Sequence, residues 1–155
     1  MKINLTANIE KILDNYLNLL PIVKMETPNT KQCDPLNLDP YVDNGEAEEI
    51  LVQDILSCFP YGMSPFVIDK WLSKLSIGGK IIIIEEDINI LLNEYTCGRL
   101  NNEQVNERLF GKLEGLTKSS CVSMFNIADF LQNKGLKILK KKIDNTIVVV
   151  EAQRT

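Results

Sequence analysis

Between Gly78-Gly79 and the acidic triplet Glu85-Glu86-Asp87 the chain reads Lys-Ile-Ile-Ile-Ile, an unbroken run of β-branched apolar residues. A strand built from such a run has no polar face to offer water, so it belongs where helices cover it on both sides, at the centre of a mostly parallel sheet. The segment before it supplies a helix. Ser64-Pro65 places proline at the first helical position, and Val67, Ile68, Trp71, Leu72 and Leu75 form one apolar stripe, with Gly78-Gly79 as the turn that ends it. Upstream again, Glu49 to Gln53 is apolar and β-branched enough for a second buried strand. Strand, helix, strand in that order is the repeating unit of a doubly wound sheet.

The rest of the chain extends the alternation. Lys2 to Leu5 reads as an opening strand, and Ile9, Ile12, Leu13, Tyr16, Leu17 and Leu20 recur at helical spacing, which predicts a helix that Pro21 stops. Ile22 to Met25 and Lys31 to Cys33 read as the second and third strands, separated by the turn signal Thr27-Pro28-Asn29. Asp34 to Gly45 is rich in Pro, Asn and Asp and reads as loop. Beyond the central run, Asp87 to Tyr95 and Asn102 to Phe110 are helical, and Asn126 caps a helix through Asn133 that Gly135 terminates. Leu136 to Ile143 and Thr146 to Glu151, with only Asp144-Asn145 between them, form a tight antiparallel hairpin. No repeat or Gly/Ser linker interrupts the series. Residues 1–155 are therefore expected as one α/β domain, a doubly wound and mostly parallel sheet closed by a C-terminal hairpin.

Composition narrows the chemistry. Seventeen basic against twenty-one acidic residues leave a net charge of −4, which repels polyanions, so neither nucleic acid nor an anionic membrane surface is expected as a partner. There is no histidine, so proton transfer falls to Asp, Glu, Lys, Tyr or Cys. Cys33, Cys58, Cys97 and Cys121 are widely spaced without a C-x-x-C pair and read as small buried hydrophobes. The start MKINLT lacks the pattern of a signal peptide, and a cytoplasmic location is the expectation. Tyr61 and Tyr95 read as partial core, and Lys140 to Lys142 as a charged sheet edge that discourages aggregation.

The order of elements, the opening KINL, the segment EEILVQDILSCFP, the passage LSIGGKIIII and the closing hairpin together resemble class I S-adenosylmethionine-dependent methyltransferases, over nearly the whole chain. More narrowly they are similar to small methyltransferases with the pattern LNLGCG, DEI-x-x-SHVLEHFP, L-KPGG-L-I and an ERLFG-like segment. Asn4-Leu5, Glu49-Ile50, Phe59-Pro60, Gly78-Gly79 and Glu107 to Gly111 carry the match. The resemblance implies a Rossmann-like strand order 3-2-1-4-5-7-6, with S-adenosylmethionine across the carboxyl ends of the first, second and fourth strands.

On that resemblance Thr6, Ala7 and Asn8 occupy the loop beside the methionine moiety, Glu26 the acid that binds the ribose, Asp34 the acid near the adenine amino group, and Gln53 the cofactor side of the fourth strand. Asp54 or Glu86 is the candidate base for methyl transfer to an oxygen or nitrogen of a small-molecule or glycan acceptor. Two features of the residues depart from the pattern. The first glycine of the chain is Gly45, so the first loop carries side chains where the family presents bare backbone, and the SHVLEH stretch has become Gln53 to Cys58, without its histidines or glutamate. A methyltransferase and a non-catalytic binding or scaffold protein of the same fold both remain open. Asp54, Glu85, Glu86 and Asp87 gather on one sheet edge, where carboxylates can act as a base, hold a hard cation, or cap helices. Capping and solvated charge are the reading adopted, with no metal site.

Overall fold

A computed structural model describes residues 1–113 and 116–155. In chain order its elements are β1 (Lys2–Thr6), β2 (Leu17–Leu20), β3 (Thr30–Gln32), β4 (Ala47–Gln53), α1 (Ser64–Lys74), β5 (Leu75–Glu86), α2 (Ile88–Thr96), α3 (Asn102–Phe110), β6 (Lys112–Leu113), β7 (Leu116–Thr117), α4 (Met124–Asn133), β8 (Leu136–Asp144) and β9 (Ile147–Arg154). Seven strands form one sheet in the order β3-β2-β1-β4-β5-β9-β8, and β6 pairs separately with β7. The first five are parallel, and β9 runs antiparallel to both β5 and β8. This is the 3-2-1-4-5-7-6 order that the family resemblance implies, with β8 and β9 as the sixth and seventh strands.

The isoleucine run sits at the centre, between β4 and β9. Ile81 and Ile83 are fully buried and join Val67, Ile68 and Trp71 of α1 and Met124, Ile127 and Leu131 of α4 in the main core. Ile82 and Ile84 face the other way and are half-buried. On that second side the crossovers β1 to β2 and β2 to β3 are made without an α-helix; the first contains only a 3₁₀ turn, Ile9–Lys11.

The helix expected over 9–20 is therefore not formed. Asn8 caps the short turn, accepting a hydrogen bond from the Glu10 amide at 2.8 Å, and Ile12 is already extended. From Leu17 the chain pairs with β1, Ile3 opposite Leu17 and Leu5 opposite Leu19, which buries Leu19 on the core side. Helical spacing loses because the strand ladder satisfies the backbone while Asn18, pointing to the opposite face, finds partners for its buried amide. Ile22 to Met25 consequently lies outside any strand.

Three smaller expectations shift for physical reasons. Gly78-Gly79 is inside β5 and does not cap α1, since a register shift between Ala47 and Glu49 needs Gly78 at φ 78° and a Cβ on Gly79 would stand 2.9 Å from the Ala47 carbonyl oxygen. The hairpin turn is Asn145-Thr146, one residue later than expected, with Asn145 left-handed at φ 54°. Cys33 is buried and Cys58 half-buried, but Cys97 and Cys121 are exposed, and so are Tyr95 and Tyr61, the latter 92% accessible. Lys140 to Lys142 do lie exposed on the edge strand β8.

Trp71 is the largest buried side chain, and its indole N–H donates to the Pro35 carbonyl at 2.8 Å, tying α1 to the loop after β3. Trp71→Phe removes both the donor and part of the volume. It is expected to lower the unfolding free energy by about 2 kcal/mol, read as a reduced urea midpoint by far-ultraviolet circular dichroism with unchanged slope.

Candidate functional site

In an open α/β sheet ligands bind beyond the carboxyl ends of the strands, where the strand order reverses, here at β1 and its neighbours β2 and β4. Thr6 and Ala7 at the end of β1 are buried, and the Thr6 hydroxyl accepts the Asn8 amide at 3.1 Å, folding the chain back on itself. The turn that follows lies over the sheet. Its Lys11 carbonyl accepts from Asn4 Nδ2 at 2.8 Å and from Gln53 Nε2 at 3.5 Å. Gln53 Nε2 also donates to Asn4 Oδ1 at 2.9 Å, and Asn4 Nδ2 donates to Asn18 Oδ1 at 2.8 Å. The Lys11 ammonium is ion-paired with Asp54, the residue immediately past β4, whose backbone is left-handed at φ 54°.

Thr6, Ala7, Asn8, Gln53 and Asp54 thus come together as the sequence suggested, and Glu26 and Asp34 do not join them. Because β2 ends at Leu20, Glu26 belongs to the loop leading into β3. It accepts the Gln32 amide at 2.9 Å, a bond that holds its exposed carboxyl below the usual glutamate range. Asp34 does follow β3, but it is exposed and its carboxylate accepts the Leu36 amide at 2.9 Å in a local Asx turn. The residue at the end of β2 is buried Leu20, with no carboxylate to offer a ribose.

The acids of β5 are separately engaged. Glu86 pairs with Arg108 of α3 at 3.2 Å and accepts from the Thr146 hydroxyl. Asp87 is fully buried and caps two helices at once, accepting Asn89 and Ile90 of α2 at 2.9 and 3.0 Å and Met124 of α4 at 2.8 Å. Glu85, 1% exposed, accepts the Leu56 amide at 2.5 Å; burial, reinforced by the nearby Asp54 carboxylate, pushes its carboxyl up to about 7. Among the described residues no three acids or cysteines are placed to hold one metal ion. Ser57 and Arg108, which also belong to this edge, lie in segments that carry the resemblance but were given no site role, and Lys11, Asn18 and Lys118 carry no local motif that would have singled them out.

No family model matches the sequence, and no curated protein does. Solved structures do match. A SAM-dependent methyltransferase from Archaeoglobus fulgidus aligns with 99% of this chain and 85% of its own at 9% identity, TM-score 0.68. An O-methyltransferase family protein from Burkholderia thailandensis aligns over 81% of this chain at 15% identity, TM-score 0.55. A magnesium protoporphyrin IX methyltransferase from Synechocystis PCC 6803, with bound SAH, aligns over 82% at 16% identity, TM-score 0.55. The chain spans only 35% and 51% of the length of the latter two. At these identities the likeness establishes the fold, which is that of the class I S-adenosylmethionine-dependent methyltransferases. No helix among the described residues is long and apolar enough to cross a membrane.

The residues at the crevice do not fit that cofactor. The family's close approach of bare backbone is replaced by the buried Thr6 and Ala7 side chains, β2 ends in leucine, and the space between β1 and β4 is crossed by the Lys11–Asp54 pair. The short 3₁₀ turn after β1 also provides no helix N-terminus of the kind on which nucleotide crevices rely.

Glu85 gives this edge a pH signature. Below about its ordinary value of 4.5 the carboxyl is protonated in both folded and unfolded chains. Between there and about 7 the unfolded chain ionises first, so native stability declines as pH rises. Glu85→Gln keeps an acceptor for the Leu56 amide and removes the charge. It should abolish that decline and exceed the parent by ~3 kcal/mol above about pH 8, measured by urea unfolding across the pH range.

Proposed function

We propose that this chain, residues 1–155 acting as one domain, is a non-catalytic binding protein of methyltransferase fold that does not turn over S-adenosylmethionine. The observation that carries the reading is the closure of the β1–β4 crevice from within: Lys11 neutralises Asp54, and its carbonyl is bonded to the amides of Asn4 and Gln53. An incoming nucleoside that displaced the Lys11 turn would break the ion pair and leave the buried Asn4 amide short of a partner, at about 1–3 kcal/mol, before making any contact of its own.

A second reading, methyl transfer to a small-molecule or glycan acceptor in a cytoplasmic setting, is favoured by the alignment of nearly the whole chain with the Archaeoglobus enzyme. It requires Thr6, Ala7, Asn8 and Gln53 to line the cofactor, Glu26 and Asp34 to reach its ribose and adenine, and Asp54 or Glu86 to exchange its cation for a proton. The geometry supports the first reading better, because Glu26 and Asp34 bond elsewhere and both candidate bases are ion-paired.

Thermal unfolding with millimolar S-adenosylhomocysteine or S-adenosylmethionine separates them. Ligand at ~100 times its Kd adds about 2.7 kcal/mol of apparent stability. No shift is the expected outcome; a saturable rise in melting temperature with either nucleoside would overturn the proposal and install the second reading.

A further inference from the structure

We propose that the cleft between α1 and α4 is a binding site for a small amphipathic acid, its apolar body against Tyr61, Pro65, Ile127 and Phe130 and its carboxylate directed to Ser57, Arg108 and Lys118. The inference deepens the binding reading above and rests on it.

The cleft encloses about 520 Å³. That is within the roughly 300–1,000 Å³ typical of small-molecule sites. Four of its lining residues, Ile88, Ser120, Cys121 and Val122, also line a second, smaller chamber of about 20 Å³. The chamber has a different chemistry. It is lined by Ser57, Glu86, Arg108 and Lys118, so two cations face one carboxylate. Arg108 spends one nitrogen on Glu86 and the Thr146 hydroxyl, and the Lys118 ammonium donates to the Arg108 carbonyl at 2.7 Å, so among the described residues both cations have further donors without a partner. Glu85 lies nearby, committed to the Leu56 amide.

Ser57 is the sharper indicator. Its residue is 5% exposed, and its hydroxyl oxygen is the one buried side-chain polar atom among the described residues with no hydrogen-bond partner. Its backbone is well anchored, the carbonyl accepting Ser119 and Ser120 amides at 2.7 and 3.1 Å, and the residue lines the chamber. A buried hydroxyl without a partner costs about 1–3 kcal/mol. A group of one or two oxygens bearing negative charge would satisfy it and the two cations together. The chamber has room for about one water-sized group, so a single carboxylate oxygen would enter it while the rest of the head and the apolar body stay in the larger cleft.

The probes are octanoate, octylammonium and octanol, added to the full chain. Octanoate is expected to raise the melting temperature saturably and to bind about tenfold more tightly than octanol, with octylammonium the weakest. Lys118→Met should erase the preference for octanoate over octanol. Ser57→Ala should weaken octanoate while leaving the ligand-free protein as stable as the parent or more so, which keeps the test valid if Lys118→Met fails to fold. Octanoate should also slow alkylation of Cys121, which lines both spaces, and leave that of exposed Cys97 unchanged. Equal affinity for the three probes, no saturable shift with octanoate, or unaltered octanoate affinity in Ser57→Ala would overturn the proposal. None of these results depends on S-adenosylhomocysteine, whose binding would instead overturn the non-catalytic reading.

Discussion

Two buried asparagines on neighbouring strands hold the carboxyl edge of this sheet together. Asn4 of β1 and Asn18 of β2 are both fully buried, and between them they use the Lys11, Leu13, Tyr16 and Asn29 carbonyls, the Leu13 amide and the Gln53 side chain. A buried amide is costly when partly satisfied and organising when fully satisfied. Here the satisfaction comes from the segment that joins β1 to β2, and this makes a helix unnecessary in that crossover. The same bonds pull Lys11 onto Asp54 and close the crevice. The fold retains the strand order of a nucleoside-binding sheet while its first loop serves the sheet's own polar groups.

That arrangement explains which parts of the chain could be read in advance. The isoleucine run, the α1 stripe and the C-terminal hairpin were legible because each follows from local pattern: apolar continuity, 3.6-residue spacing, and a two-residue connection. The segment 9–20 was not, because its apolar residues fall at helical spacing while only Leu17 and Leu19 alternate, and the strand is selected by pairing with Ile3 and Leu5 of another strand and by the Asn4–Asn18 bond. One misplaced strand then carried Glu26 away from the position its ribose role requires. Asp54 and Gln53 were placed correctly because β4 was read correctly, but the cation that neutralises Asp54 lies 43 residues earlier, a separation no local pattern reports.

The acids that sequence grouping brings together illustrate the same distinction. Asp54, Glu85, Glu86 and Asp87 do converge on one edge, yet strand alternation and chain direction give them different neighbours: an ammonium, a backbone amide, a guanidinium, and the amides of two helices. Asp87 has the capping role the sequence favoured, extended to a second helix. Among the described residues Glu85 and Asp87 have no cation paired with them; Asp87 has three helix amides, and for Glu85 burial is the main cause of its raised carboxyl pKa. Proximity in sequence reports a shared edge; the partners of each carboxylate decide its chemistry.

A closed crevice and an open cleft on the same edge are linked consequences of where this chain has its helices. The β1 and β2 connections are short and fold inward, filling the space beside the first strands. Beyond β4 and β5 the connections are long and carry α1, α2, α3 and α4, and the cleft lies among the start of α1, the start of α2 and α4 with the segment before it. The tie between Ser57 and the Ser119–Ser120 backbone links the return of that insertion to the segment after β4, where the buried Ser57 hydroxyl has no partner among the described residues. A chain that had lost every binding role would gain stability by replacing Ser57 with alanine. A hydroxyl in the chamber lined by Arg108 and Lys118 is the configuration the proposed ligand head group would require.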